Sequence, residues 1–215
     1  MSWWCSVPAR SLLRSAHSSS RTSYHGGSAL LWNACSDRFK KETLVDLSTY
    51  IRDIPDFPKE GIIFKDITPL LASPEGFRGA IDTIAEAFVD AGITKVLGAE
   101  ARGFIFGGAL AYKLGAGFVP ARKPGKLPWT TTKAEYALEY GTDSLEIHAD
   151  ALEPDDVVLI VDDVLATGGT AAAKNALVSA TGARTAGFAF LIELDFLGGR
   201  DKLGDSKIIS LIHVD

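Results

Sequence analysis

Cysteine and long apolar runs are scarce in this chain of 215 residues. Its two cysteines, Cys5 and Cys35, both lie among the first 36 residues, and the remainder has none, as is typical of proteins in a reducing compartment. No segment approaches the ~18–20 consecutive apolar residues that a membrane-spanning helix needs. These absences exclude a disulfide scaffold and predict a soluble protein with no membrane partner.

Acidic residues are missing from the start of the chain, where the first one is Asp37. Residues 1–36 contain three arginines and ten serines. Such a composition is typical of an organellar transit peptide, so it predicts mitochondrial or other organellar targeting. A disordered tail or a mistaken gene start is the alternative. We therefore treat residues 1–36 as a leader and residues 37–215 as the folded domain.

The predicted domain has fewer basic residues than acidic ones. The whole chain carries a net charge of −5 and the leader carries +3, so residues 37–215 carry −8. An excess of acid gives no general reason to expect a nucleic-acid partner.

Apolar strands and amphipathic helices alternate along the predicted domain. Helices are predicted over 41–54, from Ser73-Pro74-Glu75 through Phe88 to an end at Gly92, over 104–114 and over 170–180, and strands over 94–98, 117–121, 145–148, 157–161, 186–192 and 208–214. The strand at 157–161 is apolar at every position, which indicates that both of its faces are covered. This alternation predicts an α/β fold with an open, mostly parallel central sheet flanked by helices.

One stretch of the domain has no convincing periodicity. Residues 122–141 hold two prolines, four basic residues and three threonines. A loop of that length in a compact domain is usually functional or disordered. We therefore predict a loop or an extended arm there.

The strand at 157–161 runs into the most informative motif of the chain, VVLIVDDVLATGGT at residues 157–170. In an open parallel sheet, ligands bind beyond the carboxyl ends of the strands. Gly168 and Gly169 let the backbone approach a ligand closely, and Thr167 and Thr170 add hydroxyl donors. The unpaired N–H groups and partial positive charge of the following helix make this turn a candidate phosphate site.

Two adjacent acids stand one turn before that phosphate site. Asp162 and Asp163 would repel a phosphate, so we predict that they bind something else, either a sugar diol or a hydrated Mg²⁺. A sugar phosphate together with a metal ion accounts for both halves of the motif. The alternative is an ordinary turn with a glycine-rich helix cap. No Gly-Lys-Ser/Thr follows, so the motif is not a nucleotide P-loop.

As a whole, the motif resembles the 5-phosphoribosyl 1-pyrophosphate (PRPP) signature of the type I phosphoribosyltransferases. Four further segments are similar to the adenine phosphoribosyltransferase family, namely FPKEGIIFKDITPLL at 57–71, GAEARGFIFG at 98–107, RKPGKLP at 122–128 and YALEYGTDSLEIH at 136–148. The resemblance covers roughly residues 42–213. It implies the type I phosphoribosyltransferase fold, with a small N-terminal hood and a mobile active-site loop.

The resemblance implies how PRPP would be held. Asp162 and Asp163 would hold the ribose hydroxyls. The 5-phosphate would be wrapped by the following turn, which consists of Ala166, Thr167, Gly168, Gly169 and Thr170. Arg102, one of two implied catalytic residues, would face the pyrophosphate in a turn that Glu100 and Ala101 shape.

A second basic segment is implied to serve the pyrophosphate as well. Arg122, Lys123 and Lys126 would supply positive charge to it, and they would reach across the interface of a homodimer. The resemblance also implies Mg²⁺ as the cofactor, held through the pyrophosphate and water with no direct protein ligand.

The adenine would lie between the hood and the mobile loop. Ile63 and Lys65 would border the base, the latter mainly through its backbone. Relatives that act on 6-oxopurines carry a base-binding aspartate three residues after the second acid, and that position here is Ala166, whose methyl group cannot move a proton. Glu139, the second implied catalytic residue, would therefore meet the base nitrogens, with Tyr140 beside it.

The implied reaction is a step of purine salvage. The 5-phosphoribosyl group would pass from PRPP to adenine, giving AMP and pyrophosphate, in a cytoplasmic homodimer whose other partners are these small-molecule substrates. Two alternatives stay open: another purine phosphoribosyltransferase, and a non-catalytic sensor of PRPP. The sensor would need a DNA-binding appendage, and none is visible in the sequence.

Overall fold

The computed structural model describes residues 46–137 and 142–215. The predicted leader, the first part of the helix predicted over 41–54, and the site candidates Glu139 and Tyr140 lie outside the described residues. None of the helices in the described part of the chain is long and apolar enough to span a membrane.

A five-stranded sheet forms the centre of the fold. The strands of the described residues are β1 (Arg52–Pro55), β2 (Ile63–Asp66), β3 (Lys95–Ala99), β4 (Gly117–Ala121), β5 (Thr131–Ala137), β6 (Thr142–His148), β7 (Val157–Leu165), β8 (Arg184–Leu194) and β9 (Ile208–Val214). The central sheet has the order β4-β3-β7-β8-β9, and every neighbouring pair in it is parallel. The predicted open parallel sheet is therefore confirmed, and β1–β2 and β5–β6 are separate antiparallel pairs.

The helices lie in the connections between these strands. They are α1 (Thr68–Ala72), α2 (Pro74–Ala87), α3 (Gly103–Leu114) and α4 (Gly169–Ala180), with short 3₁₀ helices at Leu47–Tyr50, Asp195–Leu197 and Gly199–Leu203. The start of α2 is as predicted, since Ser73 Oγ accepts a hydrogen bond from the Gly76 N–H at 3.1 Å and Pro74 is the first helical residue. Its end is at Ala87, before Phe88 and the predicted stop at Gly92.

The central strand β7 is covered on both faces. Leu159 and Val161 belong to the buried cluster that includes residues of α2 and α3. Val158 and Ile160 point the other way, into the cluster that includes residues of α4 and β6. Side chains alternate between the two faces of a strand, so an uninterrupted apolar sequence fits a sheet that is packed on both sides.

The helix predicted over 41–54 is wrong over the residues that the structure describes. Leu47–Tyr50 forms a single 3₁₀ turn, and β1 begins at Arg52. Asp46 ties the turn by accepting from the N–H of Ser48 at 3.1 Å. The chain then pairs with β2, with Ile54 opposite Phe64, and this hairpin is the predicted N-terminal hood. Pairing with β2, the next strand along the chain, outweighs the short amphipathic period, and Leu47 is the one buried residue of the 3₁₀ turn.

The segment predicted as a loop or arm at 122–141 contains a strand. β5 pairs with β6 in register from Thr131–His148 to Ala137–Thr142. The alternation in TTKAEYA is weak, since threonine and alanine occupy the positions where larger apolar residues normally mark a strand. The segment is therefore an antiparallel arm, which we call the β5–β6 arm.

The strand predicted over 157–161 is longer than expected. β7 runs to Leu165, with Asp162 opposite Phe190 and Leu165 opposite Glu193 of β8. The two acids therefore lie within a strand of the central sheet, where neighbouring backbone holds them, and not in a loop beyond it.

We predict opposite effects of alanine at two neighbouring glycines of α3. A Cβ at Gly107 would lie 2.5 Å from Cε2 of Phe118, whereas a Cβ at Gly108 has nothing within 4 Å. Gly107→Ala must displace the Phe118 ring, which costs about 1–3 kcal/mol. Gly108→Ala gains about 0.5–1 kcal/mol of helix stability. Thermal unfolding should place the Tm of Gly107→Ala below, and that of Gly108→Ala above, the wild-type value. Equal Tm values for the two variants would contradict the close packing of α3 on β4.

Candidate active site

A cavity of about 480 Å³ opens at the carboxyl ends of β3 and β7. Three segments supply most of its wall: the turn after β3, the end of β7 with the turn into α4, and the β5–β6 arm. The residues that line it include Glu100, Ala101, Arg102, Lys123, Tyr136, Asp143, Asp162, Asp163, Ala166, Thr167, Gly168, Gly169 and Thr170. Its position agrees with the rule that ligands of open parallel sheets bind beyond the strand ends.

The turn into α4 has the geometry of an anion site. Gly168 has φ = +76°, which favours glycine, and a Cβ there would overlap the carbonyl oxygen of Gly199. A Cβ at Gly199 would in turn overlap the carbonyl of Ala166. The 3₁₀ turn at Gly199–Leu203 thus packs backbone against backbone behind the phosphate turn. The first N–H groups of α4 consequently face the cavity with the positive end of the helix dipole.

Asp162 is held from within the protein. Its Oδ2 accepts from Lys174 Nζ at 2.8 Å, and its Oδ1 accepts from the Asp163 N–H at 3.0 Å. Lys174 also donates to the Val161 carbonyl at 3.0 Å, and its side chain is wholly buried. The carboxylate remains partly exposed at the cavity wall.

Asp163 has a different environment. Its Oδ2 lies 2.7 Å from Arg102 Nε, but this close approach lacks hydrogen-bond geometry, and Oδ2 is buried without a hydrogen-bond partner among the described residues. Burial, followed by the negative charge of Asp162, raises the pKa of Asp163 to about 6, although Arg102 acts in the opposite direction. Asp163 Oδ2 is therefore an acceptor oxygen that has a cation beside it but no hydrogen bond from the described residues.

Arg102 connects the hood to the cavity. Its guanidinium lies 5.4 Å above the centre of the Phe64 ring in β2, which is within the range of a cation–π contact. It also lines the cavity beside Asp163. Arg102, the residue predicted to bind the pyrophosphate, is thus positioned by contacts with both the hood and the central sheet.

The second basic segment is organised by Glu100. Arg122 donates to Glu100 Oε2 through Nε at 2.9 Å, with Nη2 at 2.8 Å, and the Lys123 N–H donates to Oε1 at 2.8 Å. Burial opposes ionisation of Glu100, but the Lys123 N–H and the Arg122 guanidinium outweigh it and lower its pKa. Arg122 Nη1 also donates to the Lys126 carbonyl at 3.0 Å. Lys123 is the member of this segment that lines the cavity.

The β5–β6 arm contributes two residues that the sequence did not single out. Tyr136 donates its hydroxyl to Asp143 Oδ2 at 3.3 Å, and Lys123 Nζ lies 3.2 Å from the same oxygen. The Ser144 N–H, followed by Lys123, lowers the pKa of Asp143. The sequence of the arm has no clear periodicity, so it did not predict that Tyr136 and Asp143 would lie beside Lys123.

The structure brings together most, but not all, of the predicted site. The cavity wall includes Arg102, Lys123, both acids of the motif and the whole phosphate turn. It does not include Arg122, Lys126, Ile63 or Lys65, and the Lys65 ammonium is paired with Asp53 at 2.7 Å. The roles given to all of the predicted site residues, including Glu139 and Tyr140 outside the described part, stay predictions.

Two ion pairs, each with one buried partner, were also missed. Lys174 pairs with Asp162, and Arg200 donates to both oxygens of Glu193, at 2.9 and 2.6 Å. The first had a signal in the sequence, because Lys174 lies three residues from both Ala171 and Leu177 on the buried face of α4. A charged residue on such a face calls for a buried partner.

Comparison with known proteins gives one consistent result. The phosphoribosyl transferase domain model matches residues 66–209. The adenine phosphoribosyltransferase of Solidesulfovibrio magneticus is 56% identical over 170 residues, which are 79% of this chain and 99% of that protein. That of Geobacter metallireducens is 59% identical over 167 residues, which are 78% of this chain and 98% of that protein.

Solved structures agree with these relatives. The adenine phosphoribosyltransferase of Thermoanaerobacter pseudethanolicus superposes with a TM-score of 0.77 at 53% identity, covering 80% of this chain and 100% of that one. The Saccharomyces cerevisiae enzyme, complexed with adenine and an imino-altritol bisphosphate, has a TM-score of 0.73 at 44% identity, covering 77% and 96%. The chain therefore belongs to the phosphoribosyl transferase domain family, and within that family to the adenine phosphoribosyltransferases.

Proposed function

We propose that the cavity beyond β3 and β7 transfers the 5-phosphoribosyl group of PRPP to adenine, giving AMP and pyrophosphate in purine salvage. The observation that carries this proposal is the meeting of a phosphate turn, two adjacent carboxylates and Arg102 in one cavity. A phosphate, a sugar diol and a pyrophosphate need these three kinds of group, in this order along the substrate. The membership of the adenine phosphoribosyltransferases supports adenine as the acceptor.

PRPP would be anchored at its phosphate end and its ribose. The 5-phosphate accepts hydrogen bonds from the N–H groups and hydroxyls of residues 166–170, at the start of α4. The ribose hydroxyls donate to Asp162 and Asp163.

The pyrophosphate would leave towards Arg102 and Lys123. As the bond from ribose to pyrophosphate loosens, negative charge grows on the leaving group and positive charge on the ribose carbon. Arg102 and Lys123 stabilise the leaving group, and the two carboxylates lie on the side of the ribose. The adenine nitrogen attacks the opposite face of that carbon.

The cavity suits a hydrated Mg²⁺. Of the four acidic side chains in its wall, Glu100 and Asp143 are paired with Arg122 and Lys123, and Asp162 and Asp163 offer the oxygen atoms that this ion prefers. These acids would contact the water shell of the ion, with the pyrophosphate as its direct ligand. When bound, Mg²⁺ supplies positive charge to the pyrophosphate oxygens.

The base would be selected by the β5–β6 arm and by residues 138–141, which connect its two strands. Ala166 offers no side-chain donor or acceptor within the phosphate turn. Glu139 would accept from a ring N–H of adenine, with Tyr140 beside it and with Ile63 and Lys65 of the hood bordering the base. Closure of this loop would exclude water, which otherwise hydrolyses the activated sugar.

The cell compartment and the assembly form part of the proposal. We place the enzyme in the cytoplasm as a homodimer, in which Arg122 and Lys126 reach the pyrophosphate of the neighbouring subunit, whereas Lys123 lines the cavity of its own subunit. The alternative is that residues 1–36 direct the enzyme to an organelle.

The Asp163→Asn variant should weaken PRPP binding selectively. Removing one charged acceptor from a hydrogen bond costs roughly 1.5–3 kcal/mol, which is about a tenfold to hundredfold rise in KM for PRPP. The KM for adenine should change by less than about twofold. Steady-state kinetics with each substrate varied in turn measures both values. Equal damage to the two would contradict a ribose role.

The pH dependence of the same variant provides a control. Asp163 is neutral below a pKa of about 6 and charged above it, so the wild-type KM for PRPP should rise as the pH falls through about 6. Asp163→Asn has no such group and should lose that step. A step of unchanged size in the variant would assign the titration to another residue.

Glu139→Ala should lower kcat and leave PRPP affinity nearly unchanged. General acid–base help is typically worth about 10²–10⁴ in rate, and Glu139 is the proposed source of it. Glu135→Ala is the matched control, since Glu135 is an exposed acid of the same arm, paired with Lys133 at 2.8 Å. A fully active Glu139→Ala would remove this residue from the mechanism.

The choice of base separates adenine transfer from the other purine reactions. Assays of the wild-type enzyme with adenine, hypoxanthine and guanine should yield product from adenine alone. Efficient turnover of hypoxanthine would overturn the adenine proposal and favour another purine phosphoribosyltransferase.

Deletion of residues 1–36 behind a new start codon should leave the activity intact. The family match begins at residue 66, and the matched relatives cover 75–80% of this chain. Activity and Tm of the shortened and full-length chains provide the comparison. Loss of soluble enzyme would mean that the segment belongs to the fold, and a reporter fused to residues 1–36 that stays in the cytosol would contradict targeting.

A further inference from the structure

Lys174 is a wholly buried lysine that the proposed reaction leaves without a role. It lies in the face of α4 that packs on the central sheet, among the buried residues Ala171, Ala173, Leu177 and Val178. Lysine is almost never fully buried unless it is paired, because an ammonium loses its hydration there. Its retention in this face therefore requires a compensating interaction.

The compensating interaction is with β7. Lys174 Nζ donates to the Val161 carbonyl at 3.0 Å and to Asp162 Oδ2 at 2.8 Å. A buried ion pair seldom adds stability compared with well-packed apolar residues of the same volume. The fold could therefore place an apolar side chain here if packing were the only requirement.

The lysine fixes the orientation of Asp162. Oδ2 is held by the ammonium, and Oδ1 is held by the Asp163 N–H at 3.0 Å. Gly103 closes a third side, since a Cβ at that residue would lie 2.7 Å from Oδ1. The carboxylate is thus clamped in one rotamer, and its remaining exposed surface faces the cavity.

The two carboxylates of the motif have cations of different kinds. Arg102, beside Asp163, is 40% exposed and lines the cavity, so an incoming pyrophosphate competes for its guanidinium. The Lys174 side chain has an exposure of 0%, so no substrate reaches it. When PRPP binds, Asp162 therefore keeps its cation while Asp163 shares its own.

We propose that Lys174 is a positioning residue for PRPP binding, whose ammonium holds Asp162 oriented as an acceptor for a ribose hydroxyl. This inference rests on the proposed function of the cavity, and it adds a residue outside the signature motif and outside the cavity wall. Lys174 does not contact the substrate and acts only through Asp162. The alternative is a purely structural lysine, whose loss would affect stability alone.

The first test compares Lys174→Met with Leu177→Ala in the full-length chain. Methionine keeps the length of the side chain and removes its charge, whereas Leu177→Ala leaves a cavity in the same helix face and lowers stability through lost packing. Both variants should lower the Tm. Calorimetric titration with PRPP and Mg²⁺ in the absence of adenine should show about tenfold weaker binding for Lys174→Met, and less than a twofold change for Leu177→Ala.

Steady-state kinetics should show the same selective effect on PRPP. Lys174→Met should raise KM for PRPP about tenfold and change kcat and KM for adenine by less than about twofold. A Lys174→Met variant with a lowered Tm and wild-type PRPP affinity would overturn the proposal, because the lysine would then be purely structural.

A second comparison removes the partner and remains valid if Lys174→Met alone does not fold. Asp162→Asn and the double variant Asp162→Asn/Lys174→Met differ only in the lysine, and the double variant leaves no uncompensated charge behind. If Lys174 acts through Asp162, their PRPP dissociation constants should agree within about twofold. A further tenfold loss in the double variant would overturn the proposal.

The assays keep this inference separate from the choice of base. Lys174 is tested on PRPP binding without adenine, whereas the proposed function is tested on AMP formation by the wild-type enzyme. A wild type that binds PRPP and forms no AMP would overturn adenine transfer, and weaker PRPP binding by Lys174→Met in that same protein would still support the positioning role.

Discussion

The structure depends on how two adjacent carboxylates are kept at the end of a strand that is otherwise apolar and covered on both faces. Neighbouring charges of one sign repel, and burial strengthens that repulsion. The protein resolves this with one cation on each side: Lys174 behind Asp162 and Arg102 in front of Asp163. The inner pair fixes the geometry, and the outer pair is open to exchange with a ligand.

A second constraint is the close approach of two backbone turns. Gly168 and Gly199 pack so tightly that a Cβ on either would overlap the other segment. The turn that contains Gly199 is itself held by the ion pair between Arg200 and the buried Glu193 of β8. The phosphate turn is therefore supported from behind by a segment distant in the sequence, so its N–H groups are oriented before any phosphate arrives. Such preorganisation lowers the free-energy cost of binding an anion.

The sequence predicted the central sheet better than its surroundings. Apolar runs such as Val157–Val161 and the glycines of the phosphate turn are governed by local chemistry, and they fold as expected. The hood strand at Arg52 and the arm strand at Thr131 each form a hairpin with the next strand along the chain, and their own sequences show no clear alternation that predicts this pairing. Tyr136 and Asp143 face each other across the same hairpin, whereas Lys123 comes from the segment after β4, and the sequence did not predict that this lysine would contact them.

This division corresponds to a division of chemical tasks. The parts that local sequence determines are the ones proposed to hold the phosphate and the ribose, which every phosphoribosyl transfer shares. The base is assigned to the hood and to residues next to the β5–β6 arm, which are antiparallel additions outside the central sheet. A change in the arm can therefore alter which base is accepted without disturbing the buried carboxylates, because β5 and β6 share no strand pairing with β7. Lys174 contacts β7, the strand whose carboxylates are proposed to bind the phosphoribosyl donor. Its loss is therefore expected to weaken binding of PRPP whichever base accepts the phosphoribosyl group.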